Sequence, residues 1–215
     1  MESLVSPGNC GEDLSSYELF SRFQQRLTSV GGEAHYVESS EKAADIIAAH
    51  AALSEGSIVV PPHPAEYSDD DVLPERERLP TAKIQSLLRE KGIVIVEAGE
   101  PKSVADAPAG LSTAMLAIAE TGSVALAENS LEARVVSMLT LTHFVLVSAA
   151  NLVAMLDDVA MHLQRLTKAG PGQRRYISLV TGPSRTADIE RTLTIGVQGP
   201  KALCVIVVEE TRDYD

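Results

Sequence analysis

Three polar strings in this chain combine residue types that do chemistry. The first is Ala119-Glu120-Thr121-Gly122-Ser123. Glu120 is a candidate base, nucleophile or hydrogen-bond anchor, Gly122 permits a tight turn, and Thr121 and Ser123 offer hydroxyl donors. A plain turn with a capping acid has the same residues. The second is Thr181-Gly182-Pro183-Ser184-Arg185-Thr186-Ala187-Asp188-Ile189-Glu190, which follows an apolar run directly. Ser184 or Thr186 can cap a helix whose free N–H groups face an anion. Arg185 can grip a carboxylate or phosphate with two parallel hydrogen bonds, and Asp188 can orient Arg185 or a substrate hydroxyl. The third is Ile195-Gly196-Val197-Gln198-Gly199-Pro200, where Gly196 and Gly199 flank Gln198. Such a backbone can approach a ligand, or only the neighbouring loop.

The other ionisable residues carry weaker signals. His143 is a lone imidazole ahead of an apolar run, and His35, His50, His63 and His162 share no metal-ligand spacing, so no metal site is expected. Glu128-Asn129-Ser130, just past an apolar run, reads as a solvated turn or as a reactive acid. Arg134 reads as an anion ligand or a helix-surface charge. No G-x-S-x-G, Walker A or G-x-G-x-x-G string occurs.

These strings need a scaffold. Apolar runs at Ser57–Val60, Ile93–Val96, Val124–Leu126, Phe144–Val147, Tyr176–Val180 and Leu203–Val208 predict strands, with a further short one at Ala34–Val37. Ile93–Val96 is continuous enough to predict a strand covered on both faces. Helical spacing runs from Asp13 through Phe20, Phe23 and Leu27, and again at Glu41–Leu53, Lys83–Lys91, Leu131–Leu139 and Leu152–Leu166. Alternating strands and helices predict an α/β fold, layered around a largely parallel sheet. Ligands of such sheets bind beyond the carboxyl ends of the strands. Residues 1–12 predict a flexible tail, and 13–215 a single domain with a helical N-terminal part. Residues 61–80 hold Pro61, Pro62, Pro64, Pro74 and Asp69-Asp70-Asp71, a surface excursion suited to a connector or a partner contact.

Composition sets outer limits. Among 215 residues, 18 Lys and Arg stand against 30 Asp and Glu, a net charge of -12, which argues against a nucleic-acid partner. No apolar run reaches the roughly eighteen residues of a membrane span. The start, MESLVSPGNCGEDLSS, has neither the basic nor the apolar stretch of a signal peptide. Cys10 and Cys204 form no cluster motif, which points to the reducing cytosol and to a chain that carries no iron–sulfur cluster of its own.

Taken together, AIAETGSVAL (117–126), Arg134, His143, TGPSRTADIE (181–190) and GVQGP (196–200) resemble the LUD-domain family, of the lactate utilization protein C type. The order and spacing match over roughly residues 110–208 and more loosely from residue 13. The resemblance implies a three-layer α/β/α domain similar to the NagB/RpiA/CoA-transferase group. It implies a part in oxidising L-lactate to pyruvate beside two iron–sulfur partner proteins, which would hold the clusters. The family's shared residues fall on Glu120, Thr121, Gly122, Arg134, His143, Gly182, Pro183, Ser184, Arg185, Thr186, Asp188, Glu190, Gly196, Gly199 and Pro200. Gln198 stands where the family often has His, Thr140 where it often has Pro, and Ser123 where it commonly has Thr. If position 198 moves a proton, Gln cannot do so; if it donates a hydrogen bond, Gln serves.

Three functions remain open at this point. In the first, the chain is a component of a lactate-oxidising system and binds a small anion. Glu120, Arg185 and Asp188 are then its catalytic candidates. Thr121, Gly122, Ser123, Arg134, His143, Gly182, Ser184, Thr186, Gly196, Gln198 and Gly199 are its ligand-binding candidates. In the second, it is a free-standing CoA-transferase-like or sugar-phosphate isomerase-like enzyme using Glu120 or Glu128. In the third, it is a non-catalytic regulatory or scaffold subunit whose acidic segment 66–78 meets partners.

Overall fold

The computed structural model describes residues 15–54, 56–62, 79–170, 173–187 and 193–209. The expected tail (1–12), the acidic segment 66–78, Asp188 and Glu190 lie outside them. In chain order the first elements are α1 (Ser16–Ser29), β1 (Glu33–Val37), α2 (Ser40–Ala49), β2 (Ser57–Val60), α3 (Thr81–Glu90), β3 (Val94–Glu97), α4 (Pro101–Val104) and β4 (Ala109–Thr113). Then come β5 (Leu116–Ile118), β6 (Ser123–Ala127), α5 (Leu131–Leu139), β7 (Thr142–Ser148), β8 (Leu152–Val153), α6 (Val159–Thr167), β9 (Ile177–Val180), β10 (Arg185–Thr186), β11 (Thr194–Ile195) and β12 (Ala202–Val208).

Six strands form the main sheet in the order β1-β12-β7-β4-β2-β3. Every pair in it is parallel. The centre is β7 and β12, whose β-branched and aromatic residues are buried on both faces. Side chains alternate along each strand, so each strand feeds two cores. Phe144, Leu146, Cys204 and Ile206 face α2 and α3, meeting Ala43, Ala44, Ile47, Ile84 and Leu88. Val145, Val147, Val205 and Val207 face the other way, onto Phe20, Phe23 and Leu27 of α1 and onto β5 and β6. The α1 helix starts at a capping box: the Ser15 N–H donates to the Glu18 carboxylate at 2.8 Å, and the Glu18 N–H to the Ser15 hydroxyl at 3.3 Å. The expected α/β architecture with a parallel sheet between helices is present.

A second, four-stranded sheet, β8-β5-β6-β9, lies beside α1 and is mostly antiparallel. Its far side is covered by α6 through Val159 and Leu166. The runs at 124–126 and 176–180 predict β6 and β9 of this sheet, whereas β5 and β8, three and two residues long, are too short to show a period.

Four expectations change. Leu152–Leu166 is not one helix: Leu152 and Val153 pair with Ala117 and Ile118, and the Asp158 carboxylate accepts the Met155 N–H at 2.9 Å, so α6 begins only at Val159. The run at 93–96 is an edge strand, not a covered one: Val94 and Val96 are 60% and 45% exposed. Residues 98–108, which read as a loop from their sequence, contain the short helix α4, opened by Pro101 at its first turn. Ala-Gly-Leu-Ser-Thr, too polar to stand out, forms the interior strand β4.

Candidate functional site

The strings 181–186 and 195–200 fold onto one another. The Ser184 N–H donates to the Pro200 carbonyl at 2.9 Å, and the Gly196 N–H to the Ser184 carbonyl at 2.9 Å. The Ser184 hydroxyl donates to the Gln198 carbonyl at 2.6 Å. β10 and β11 pair antiparallel, Arg185 with Ile195 and Thr186 with Thr194. Ser184 therefore does not open a helix; the residues that follow it form a strand. Gly199 has φ +126°, and a Cβ there would meet the Ser184 Cβ at 2.9 Å, so only glycine lets the loops close this tightly.

A cleft of about 280 Å³ lies beneath these loops. Thr181–Ser184 and Gln198–Pro200 form one side, Ser137 and Met138 of α5 another, and His143 and Leu203 the floor. His143 and Leu203 are second residues of their strands. The cleft thus opens at the amino ends of β7 and β12, beside the carboxyl end of β9. This corrects the expectation of a site at the carboxyl ends of the main strands. The reason is local: the chain leaving β9 turns back through β10 and β11 before entering β12.

The floor is chemically unusual. His143 is fully buried, on the same face as Val145, and among the described residues neither ring nitrogen has a hydrogen-bond partner. Burial pulls its imidazole down to about 4, so it is neutral at physiological pH. Behind Ser137 lies Glu128, only 7% exposed. The Ser137 hydroxyl donates to Glu128 Oε2 at 2.9 Å, while Oε1 has no hydrogen-bond partner among the described residues. The Ser112 hydroxyl lies close without completing a well-formed bond. Burial pushes the Glu128 carboxyl up to about 7, against the opposing pull of Ser137, Ser112 and the Arg134 charge. Glu128 is not a solvated turn residue. A buried carboxyl and a buried imidazole, each with unfilled hydrogen-bonding capacity beside a cleft, are what a binding or proton-transfer site needs.

A LUD domain family model matches residues 20–208. The chain belongs to the LUD domain family. Lactate utilization protein C of Shouchella clausii is 35% identical over 112 residues, 52% of this chain and 47% of that protein. The Geobacillus thermodenitrificans protein of the same name is 28% identical over 179 residues, 81% of this chain and 72% of that protein. That of Halalkalibacterium halodurans is 34% identical over 101 residues, 47% and 44% of the two chains. The match thus spans about half the length of the first and third of these relatives. The crystal structure of a DUF162 family protein from Deinococcus radiodurans has the same fold, with a TM-score of 0.56 and 21% identity over 91% of this chain and 99% of that one.

Within this LUD domain, the residues singled out by sequence fall into three groups. His143, Gly182, Ser184, Gln198 and Gly199 line the cleft. Arg134 stands behind it, its guanidinium 4.9 Å from the centre of the Tyr176 ring and its Nε donating to the Ser130 carbonyl at 3.2 Å. The rest build the frame. The Glu120 carboxylate accepts the Leu156 N–H at 2.9 Å, tying the β5–β6 turn to the approach to α6. Thr121, Ser123 and Thr181 form a hydroxyl chain, 2.8 Å and 2.6 Å long at its two links. Gly122, at φ +68°, lies against α1: a Cβ would come within 2.5 Å of the Leu27 nitrogen. Gly196 packs on Lys201, and Thr186 pairs with Thr194. The Arg185 guanidinium donates to the Val30 carbonyl at the end of α1. Sequence reasoning missed Ser112 and Ser137 and underweighted Glu128. Their one available signal was three polar residues on elements otherwise apolar toward the core.

Proposed function

We propose that this LUD domain serves L-lactate utilization in the cytosol, holding a small hydroxy- or oxo-carboxylate in the cleft under residues 181–184 and 198–200. In this reading it works beside two iron–sulfur proteins. The name shared by its relatives supports the lactate assignment. One observation supports the site above all others: the buried, neutral His143 beneath the cleft, without a hydrogen-bond partner among the described residues.

Oxidising lactate to pyruvate removes two electrons and two protons. The clusters on the partner proteins would take the electrons. The hydroxyl hydrogen and the Cα hydrogen, both released as protons as the two electrons leave, each need an acceptor: the neutral imidazole offers one, its lone pair, and the ionised fraction of Glu128 the other, through Ser137. Thr181 and the Gln198 amide supply uncharged donors for a carboxylate, and the Ser184 hydroxyl joins them by turning from the Gln198 carbonyl to the ligand. Glu128, close to half-protonated at neutral pH, can donate through its acid form or accept through its base form, with Ser137 as the link to the cleft. Arg185 reaches the ligand only by leaving the Val30 carbonyl, which its exposed position allows.

The test is a tagged pull-down from the native host grown on L-lactate, each fraction assayed for lactate-dependent dye reduction. Iron–sulfur partners should co-purify with activity, and the His143→Gln chain should recover the same partners with the activity lost. Recovery of the wild-type chain alone and inactive would contradict the assignment. A second reading, a CoA-transferase-like enzyme, draws on the buried Glu128. Incubation with acyl-CoA followed by intact-mass measurement would then show an adduct that Glu128→Gln lacks. Glu128 does not itself line the cleft but stands behind Ser137, where it cannot attack a thioester held there directly, which favours the first reading.

A further inference from the structure

We propose that Glu33, His35 and Cys204 bind a divalent transition-metal ion of the zinc class. The site lies on the α2/α3 face of the main sheet, opposite the cleft. It is independent of the lactate reading.

The strands create it by register. β1 and β12 are parallel neighbours, with Glu33 beside Cys204 and His35 beside Ile206. Glu33, His35 and Val37 alternate onto one face, and Cys204 points to that same face. One ligand atom from each of Glu33, His35 and Cys204 lies within 4.8 Å of the other two. Cys204 is buried, His35 half-buried and Glu33 exposed, so the thiol forms the floor of a site open to solvent. This sulfur, nitrogen and oxygen set suits zinc, which accepts all three, and does not suit calcium or magnesium, which take oxygen ligands. A thiolate and a carboxylate also balance a charge of +2.

The present geometry needs one small adjustment. His35 Nε2 and Glu33 Oε1 are hydrogen-bonded at 2.6 Å. Around a tetrahedral ion with bonds of roughly 2.0–2.3 Å the donors stand about 3.3–3.7 Å apart, so the carboxylate must swing away slightly. Glu33 is exposed and free to do so. His50, just past the end of α2, lies nearby. The His50 Nδ1 accepts the Ala52 N–H at 3.1 Å, which leaves the proton of the neutral ring on Nε2, 3.9 Å from Glu33 Oε2. Water or a small anion takes the fourth coordination place. An ion here would pin the edge strand β1 to β12.

The test uses the full, tag-free chain, stripped with a chelator and titrated with zinc chloride by calorimetry, with thermal unfolding in parallel. Cobalt(II) chloride provides a second readout, the thiolate-to-metal charge-transfer absorption. One zinc per chain, a raised Tm and a charge-transfer band are expected. His35→Ala, a change at the surface, should weaken binding by about tenfold or more, and Cys204→Ala should remove the band. Absence of stoichiometric zinc binding would overturn the site. So would binding that survives intact in the folded His35→Ala chain, because it would then belong to other residues.

Discussion

Glu120 and Glu128 flank the same short strand, β6, and differ in almost everything else. Glu120 leads into the strand half-buried, its carboxylate spent on the Leu156 N–H. Glu128 leaves the strand into a corner walled by Ser112 of β4 and Ser137 of α5, with one oxygen unpartnered and its carboxyl pushed up to about 7. The first holds a turn in place. The second stores an unmet hydrogen-bonding demand next to a cleft. Two identical side chains eight positions apart take different roles because of what the rest of the chain packs around them. The acid inside the recognisable string holds a backbone N–H, and the acid inside the plain-looking turn is buried with one oxygen unpartnered among the described residues.

The largest expected effect separates the two acids directly. In a reconstituted system, Glu128→Gln should lower lactate-dependent dye reduction by about a hundredfold or more, the usual scale of a lost acid–base group. Glu120→Gln should change it by less than about threefold. Equal losses would erase the contrast.

Next in size is Gly122→Ala. A Cβ at positive φ and 2.5 Å from the Leu27 nitrogen forces α1 away, at a cost of about 3 kcal/mol or more. For a chain of this length that is a fall in Tm of roughly 6–12 °C, with activity per folded molecule unchanged. A fall in activity with Tm preserved would place this turn in the site rather than the frame.

The pH dependence of stability sharpens the picture of the floor. The folded pKa of Glu128 is raised from 4.5 to about 7, so the folded chain binds more protons in that window, and this contribution to stability is lost as pH rises through it. The folded pKa of His143 is lowered from 6.5 to about 4, so the unfolded chain binds more protons there, and this contribution is lost as pH falls from 6.5 to 4. The two oppose one another in the wild type. Urea unfolding of Glu128→Gln should reveal loss of stability on acidification, and of His143→Gln loss on going from about pH 4.5 to 7. Each limb should amount to a few kcal/mol at most. Flat profiles in both variants would mean that neither group is buried as described. The smallest effect is Ser123→Ala, which breaks the hydroxyl chain to Thr181 and should cost about 1 kcal/mol in the same unfolding assay.

How much of this was legible in the sequence depends on how local each feature is. The central strands β2, β7 and β12 show as continuous apolar runs because they are covered on both faces. The α1 stripe of Phe20, Phe23 and Leu27 shows because one helical face meets one core. The loops 181–184 and 196–200 stand out by residue type, and the fold brings them together. Of the second sheet, β6 and β9 show as apolar runs, while β5 and β8, three and two residues long, are shorter than a readable period. The burial of Glu128 was invisible because its walls come from β4 and α5, each of which looks ordinary by itself. Val94 and Val96 read as interior because an edge position is a property of the sheet and not of the strand. Arg185, the obvious anion ligand by type, is committed to the end of α1 by a contact 155 residues away.

The central claim is that the cleft over His143 and Glu128 is the ligand site, and calorimetric titration of L-lactate and of pyruvate into the full chain tests it most directly. The account predicts saturable binding of at least one of them, unchanged in Glu120→Gln and lost in both His143→Gln and Ser184→Ala. No binding to the folded wild-type chain, or binding that survives both cleft substitutions, would contradict it.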